Sequence, residues 1–161
     1  MAAGGDGRVS YVFGVEKWAE AWPVFEPLMR RHYGEMADRL AAEGHEVSPF
    51  APRVDAYQSA NERGEMVMFT IRKDGEPVGY SMIYVTRSMH NGDLVANEDT
   101  IYVHPDHRNG IGRKLTKMIL GALRQAGVKR AYVSAATDPR ATKLWQRMGF
   151  KPTAQQMTYY F

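Results

Sequence analysis

The chain has 161 residues, no cysteine, 44% apolar and 24% charged residues, and 21 basic against 18 acidic side chains, a net charge of +3. That length and balance suit one globular domain and exclude a disordered, collagen-like or coiled-coil chain; the lack of thiols excludes disulfides, Cys-ligated zinc and thiol catalysis. The charge is too mild to argue for nucleic acid, and no apolar run approaches the roughly 20 residues of a membrane span.

Residues 1–7 have neither the basic nor the apolar stretch of a signal peptide, so a loose tail is expected before a single domain over 8–161, in a reducing, cytoplasmic setting. Arg8–Phe13 alternates and predicts a first strand with Val9, Tyr11 and Phe13 on one face. Trp18, Ala21, Trp22, Phe25, Leu28 and Met29 recur at helical spacing, but Pro23 and Pro27 predict a kink or a start near Trp22. A second helix is expected over Gly34–Glu43, and a short one over Val54–Ala60. Met66–Arg72 and Pro77–Val85 read as strands joined at Asp74-Gly75, a strong hairpin signal, and Asp93–Val103 as a third. Leu115, Met118, Ile119, Ala122, Leu123 and Ala126 mark one face of a helix closed by Gly127. Arg130–Ala135 predicts a buried strand, Asp138-Pro139 a helix start before Leu144, Trp145 and Met148, and Gln156–Phe161 a final strand. The expected fold class is α/β (α+β): a mixed central sheet with helices packed on it.

The stretch that carries chemistry is Ile101-Tyr-Val-His-Pro-Asp-His-Arg-Asn-Gly-Ile-Gly-Arg-Lys-Leu115. A strand ends, a proline turns the chain, and Gly110 and Gly112 flank Ile111 at the start of an amphipathic helix. Backbone N–H groups and the helix dipole make such a place an anion site, and Arg108, Arg113 and Lys114 add charge. It is neither a Walker loop nor a dinucleotide fingerprint, because the required glycine spacing is missing.

Val103, Pro105, Arg108, Gly110, Ile111 and Gly112, followed by Leu144-Trp-Gln-Arg-Met-Gly-Phe150, resemble the two signatures of the GNAT superfamily of acyl-CoA-dependent N-acyltransferases. The resemblance implies a single-domain, mostly antiparallel sheet flanked by helices, acetyl-CoA as acyl donor, no metal, and a primary amine as acceptor. It also implies that CoA lies along Ile101, Tyr102, Val103, Arg108, Asn109, Gly110, Ile111, Gly112, Arg113 and Lys114, with Asp138 and Trp145 beside the pantetheine. A backbone N–H near Tyr102 or Val103 would then face the developing oxyanion. Two departures stand out. The glycine loop is one residue shorter than the family pattern, with Asn109 directly before Gly110, and Trp145 replaces the tyrosine that often protonates the leaving thiolate, which an indole cannot do.

For the base, Glu98 and Asp99 are the candidates, because paired acids inside a strand are unusual. Period-two alternation puts Asp99 on the face of Ile101 and Val103 and Glu98 opposite; a bulge would reverse that. His90, His104 and His107 read as solvated turn residues, Tyr132, Tyr159 and Tyr160 as sheet aromatics that could replace the missing acid, and Trp18 and Trp22 as core or as the wall of an acceptor pocket. The acceptor is a small molecule or a protein, no membrane is involved, and pairing of two chains is left open. The competing functions are an acylator of protein or nucleic-acid amines, suggested by Arg30-Arg31 and Lys129-Arg130, and an inactive, virion-type structural module.

Overall fold

A five-stranded sheet in the order β1-β2-β3-β4-β5 organises the computed structural model, which describes residues 10–135 and 138–161. Strands β1 (Tyr11–Glu16), β2 (Met66–Lys73), β3 (Glu76–Arg87) and β4 (Leu94–Val103) pair antiparallel in turn, and β5 (Arg130–Tyr132) joins β4 in parallel. Helices α1 (Trp18–Ala42) and α2 (Val54–Glu62) cover one face, and α3 (Ile111–Gln125) covers the other, with α4 (Pro139–Arg147) beside it. This is the expected mixed, mostly antiparallel sheet with helices on it.

Alternation along β2 builds two cores. Met66 and Met68 pack with Trp18, Ala21, Phe25 and Leu28 of α1, while Phe69 and Ile71 pack with Ile111, Leu115 and Ile119 of α3. Full burial of such side chains stabilises by roughly 1.5–3 kcal/mol each before the entropy of ordering them is subtracted. The β2–β3 turn forms where Asp74-Gly75 predicts it, with φ positive at both residues (52° and 86°), the geometry that lets a two-residue turn follow the twist of its strands.

Several expectations need correction. Residues 18–42 form one helix, not a helix starting near Trp22 and another over Gly34–Glu43. Pro23 and Pro27 stand four residues apart on its exposed side, so the carbonyls they deprive of donors are open to water while the apolar face stays buried. The first strand runs on to Glu16; Arg8 and Val9, on which its expected start falls, lie outside the described residues. Strand β5 has three residues, not six, because the chain leaves the β4 ladder after Tyr132, and it is not buried: Arg130 and Tyr132 are exposed and Ala131 is half-buried. Gln156–Phe161 is not a strand; it is exposed and makes a tyrosine–histidine contact, Tyr160 Oη to His45 Nδ1 at 3.1 Å. A strand needs an edge to add to, and three residues of β5 offer little of one.

Candidate active site

Strands β4 and β5 are paired only through Val95–Asn97 and Arg130–Tyr132, and beyond those residues they part. At that point the β3–β4 register slips: Met82 pairs with Thr100 and Ile83 with Glu98, leaving Asp99 as the extra residue of a β-bulge. The bulge reverses the simple alternation. Asp99 faces α2, where Tyr57 Oη donates to its Oδ2 at 3.0 Å, while Glu98 faces the α3 and α4 side together with Ile83, Thr116 and Trp145. Asp99 therefore does not share a face with Ile101 and Val103, which pack on the α3 side.

The two carboxylates differ in setting. Burial raises the Glu98 carboxyl to about 7 against one opposing bond, the Ser134 backbone N–H donated to its Oε2 at 3.0 Å. The Asp99 carboxyl also lies above its ordinary range through burial, and the Tyr57 hydroxyl pulls it partly back. Among the described residues neither has a cation within ion-pair distance. Trp145 is buried, and its indole N–H donates to the Ser134 carbonyl at 3.0 Å. Ser134 is thus held from both sides, by Glu98 and by Trp145. Tyr132 lines the same narrow gap and is 43% exposed.

The glycine loop follows β4. Pro105–His107 form a 3-10 turn, the Asn109 N–H bonds the His107 carbonyl at 2.8 Å, and Gly110 caps α3 at φ 95°, so the missing residue is absorbed by a tightened turn. Among the turn, loop and cap hydrogen bonds of the described residues, none uses the N–H of Gly110, Ile111, Gly112 or Arg113; the Lys114 N–H is the first to bond back, to Gly110. Four unclaimed N–H groups at the positive end of a helix dipole fit a diphosphate. Beside them, Asn109, Ile111 and Lys114 line an open depression with Tyr11, Lys73, Asp106 and His107. Gly112 has only Val103 Cγ2 (3.7 Å) near the position of an added Cβ.

Arg108 is directed elsewhere. Its Nε donates to the Val103 carbonyl at 2.8 Å, its Nη2 to Glu35 at 3.0 Å, and its guanidinium lies over the Tyr102 ring. Tyr102 is buried on the α1 side, donates to Glu35 Oε1 at 2.6 Å and stacks on His32. His32 contacts Tyr80 Oη (2.8 Å) and Thr100 Oγ1 (3.2 Å) through Nδ1, and burial lowers its pKa to about 4, so it is neutral. Asp138 caps α4 through the Arg140 N–H and pairs with Arg140 (3.0 Å) and Arg39 (3.9 Å). Burial would raise its carboxyl, yet these bonds hold it below the usual range.

The other candidates scatter. His90 is exposed, His104 Nδ1 accepts the Asp106 N–H, and His107 Nδ1 meets Tyr11 Oη at 3.0 Å. Tyr159 and Tyr160 lie in the exposed C-terminal segment. Trp18 is buried between Trp22 and Tyr57, so of the two tryptophans only Trp22 retains partial exposure. Arg30 lies over Phe50 and Arg130 pairs with Asp93. Sequence reasoning missed Tyr57, His32, Glu35 and Ser134. Tyr57 and Ser134 stand in stretches without a motif, while the burial of His32 and Glu35 against β4 depends on how α1 is turned.

The sequence profile of the acetyltransferase (GNAT) family matches residues 27–150. Solved structures with the same fold include a ribosomal-protein-alanine N-acetyltransferase from Brucella melitensis biovar Abortus 2308, 19% identical over 94% of this chain and 99% of that one, with a TM-score of 0.69. An aminoglycoside acetyltransferase from an uncultured soil metagenomic sample is 18% identical over 94% and 95%, with a TM-score of 0.70. Glucosamine-6-phosphate N-acetyltransferase from Arabidopsis thaliana is 12% identical over 94% and 99%, with a TM-score of 0.67. No curated protein sequence matches the chain. With the profile spanning 124 residues across both signatures, the chain belongs to the GNAT family of acetyltransferases, the acyl-CoA-dependent N-acyltransferases.

Proposed function

We propose that the protein transfers an acetyl group from acetyl-CoA to a primary amine, by direct attack with both substrates bound. The observation that carries this reading is the β4 bulge, which sends two carboxylates to opposite faces where β4 leaves β5. Acetyl-CoA supplies the activated acetyl group as a thioester. The N–H groups of Gly110 to Arg113, with Asn109 and Lys114 alongside, suit its diphosphate, and the β4 edge at Ile101–Val103 suits its pantetheine.

Asp99 is the acceptor-side acid in this reading. Tyr57 occupies Oδ2 and leaves Oδ1 to orient an incoming ammonium and take its proton. That proton passes from Asp99 to solvent, the free amine attacks the thioester carbonyl, and as the carbon–nitrogen bond replaces the carbon–sulfur bond the nitrogen gives its second proton to water. Trp145 has no proton to give the departing sulfur, so water supplies one; an ordinary thiol with a pKa of ~8.5 is a tolerable leaving group. Glu98, enclosed and close to neutral pH in its titration, fixes Ser134 at the other side of the opening.

Calorimetry with acetyl-CoA and thiol release with a panel of small amines, peptides and an oligonucleotide test this together. The expected outcome is binding of acetyl-CoA, release with at least one amine, and a loss of roughly 10²-fold or more in turnover for Asp99→Asn with acetyl-CoA affinity retained. No binding at 1 mM acetyl-CoA would leave the inactive-module reading in place.

A further inference from the structure

Between α1, the glycine loop and α4 lies a cluster that the acetyl transfer does not use. Glu35 pairs with Arg31 (3.3 Å) and Arg108 (3.0 Å), and Asp138 pairs with Arg39 (3.9 Å) and Arg140 (3.0 Å). Four guanidiniums share two carboxylates. Neutral His32, beneath them, adds no charge. The surplus is therefore two positive charges on side chains that are 27–56% exposed, open enough to be reached. The Arg39–Asp138 pair is long, and among the described residues the Arg39 Nε is buried without a hydrogen-bond partner. A buried guanidinium donor with nothing to bond is costly, and a planar, forked cation is suited to carboxylate or phosphate oxygens.

The opposite imbalance lies along the same strand. On the α1/α2 face of β4, Asp99 has no cation partner among the described residues, and Tyr102, which bonds Glu35, follows three residues later on that face. At a strand's rise the two positions are about 10 Å apart, and the arginine side chains shorten that span. One face thus presents at the bulge a carboxylate bonded by a hydroxyl but paired with no described cation, and surplus guanidiniums further along.

We propose that the acceptor is a zwitterion: its amine docks at Asp99 while a carboxylate or phosphate of the same molecule is held by Arg39 and its arginine neighbours. The proposal rests on the acetyltransferase reading and narrows its acceptor to amines that carry an anion a few bonds away. The anion displaces part of the Arg39–Asp138 and Arg31–Glu35 pairing and meets the open part of the Arg39 side chain, which is 30% exposed. Arg39 is a specificity residue here; it touches no reacting atom.

The experiment compares matched acceptors with and without the anion: O-phosphoethanolamine against ethanolamine, and β-alanine against β-alaninamide. Wild-type protein is expected to favour the anionic member of at least one pair by tenfold or more in kcat/KM, mainly through KM. Arg39→Met should shrink that ratio at least tenfold, and Arg39→Lys should restore part of it, with thermal unfolding showing that both variants are folded. Equal rates within both pairs, or a ratio unchanged in Arg39→Met, overturn the proposal. A raised KM for acetyl-CoA with an unchanged acceptor ratio also overturns it, because the arginines then serve a donor phosphate. Inorganic phosphate provides a readout that does not depend on transfer. At ionic strength matched with chloride it should raise the Tm of wild type clearly more than that of Arg39→Met. If no amine is acetylated but this difference holds, the acetyltransferase reading fails while the anion site stands; equal shifts remove the site.

Discussion

At the scale of single residues, the Tyr57–Asp99 bond decides how the carboxyl proposed to take the acceptor's proton titrates. The hydroxyl donates to the carboxylate and so favours its charged form, against the burial that favours the neutral one. Among the described residues, the groups around Asp99 are Tyr57 from α2, Tyr84 and Tyr80 from β3, and Glu98, adjacent on its own strand but directed to the opposite face, none of them cationic. Tyr57→Phe should therefore move the acidic limb of the kcat/KM profile to higher pH, lowering activity most at acid pH, and the effect should vanish in an Asp99→Asn background. A pH–rate series on the single and double variants checks this; equal profiles would show that the hydroxyl does nothing for the acid. Trp145 is a structural anchor by the same kind of reading. Trp145→Phe leaves the Ser134 carbonyl without its donor and opens a small void, a loss of roughly 1–3 kcal/mol in urea unfolding, while kcat changes less than about threefold. That the serine is gripped by both Glu98 and Trp145 was not visible in the sequence, because its two partners lie 36 and 11 residues away.

At the scale of elements, what could be read and what could not follow one rule. Features set by neighbours in the chain were legible: the Asp74-Gly75 turn, the apolar face of α3, the Asp138-Pro139 start of α4 and the glycine loop. Features set by pairing partners were not. The bulge at Asp99 exists only relative to the β3 register, so the face of each acid had to wait for the sheet. The continuity of α1 depends on Pro23 and Pro27 both falling on its wet side, which periodicity notes but cannot weigh against the missing bonds. For the glycine loop the elements make a separable forecast. Gly112 has helical backbone and its added Cβ would meet only Val103 Cγ2 at 3.7 Å, so Gly112→Val should leave Tm within a few degrees; the expected outcome for acetyl-CoA is binding weakened tenfold or more, as a side chain beside the Gly112 N–H crowds the proposed diphosphate site. Gly110→Ala should cost stability instead, about 1 kcal/mol, since φ 95° is strained for any residue with a Cβ. Calorimetry and thermal unfolding on the two variants separate binding from folding.

At the scale of the whole molecule, two half-buried groups set opposing slopes of stability against pH. The Glu98 carboxyl titrates at about 7 in the fold, above its ordinary 4.5, so the fold prefers it protonated and loses stability as pH rises from about 4.5 to 7. His32 titrates at about 4, below its ordinary 6.5, so the fold prefers it neutral and gains stability as pH rises from about 4 to 6.5. Between 4.5 and 6.5 the two largely cancel. Glu98→Gln keeps an oxygen for the Ser134 N–H and removes the descending contribution. Its stability relative to wild type should climb from pH 4.5 to 7 and level off, by at most on the order of 3 kcal/mol. Urea midpoints across that range check this; a flat difference would place the Glu98 carboxyl in its ordinary range.

The brevity of β5 has a further consequence. Three residue pairs fasten β5 to the rest of the sheet. Of β5 only Ala131 packs against the α3-side core, from its partly exposed margin, so the seam is the loosest join of the sheet while the four antiparallel strands stay zipped. An extended ligand laid into the parting would act as a missing strand, lending backbone-like amides to both exposed edges. Donor binding would then be partly an act of assembly: the molecule finishes its sheet with a piece it must borrow and, after each turnover, give back.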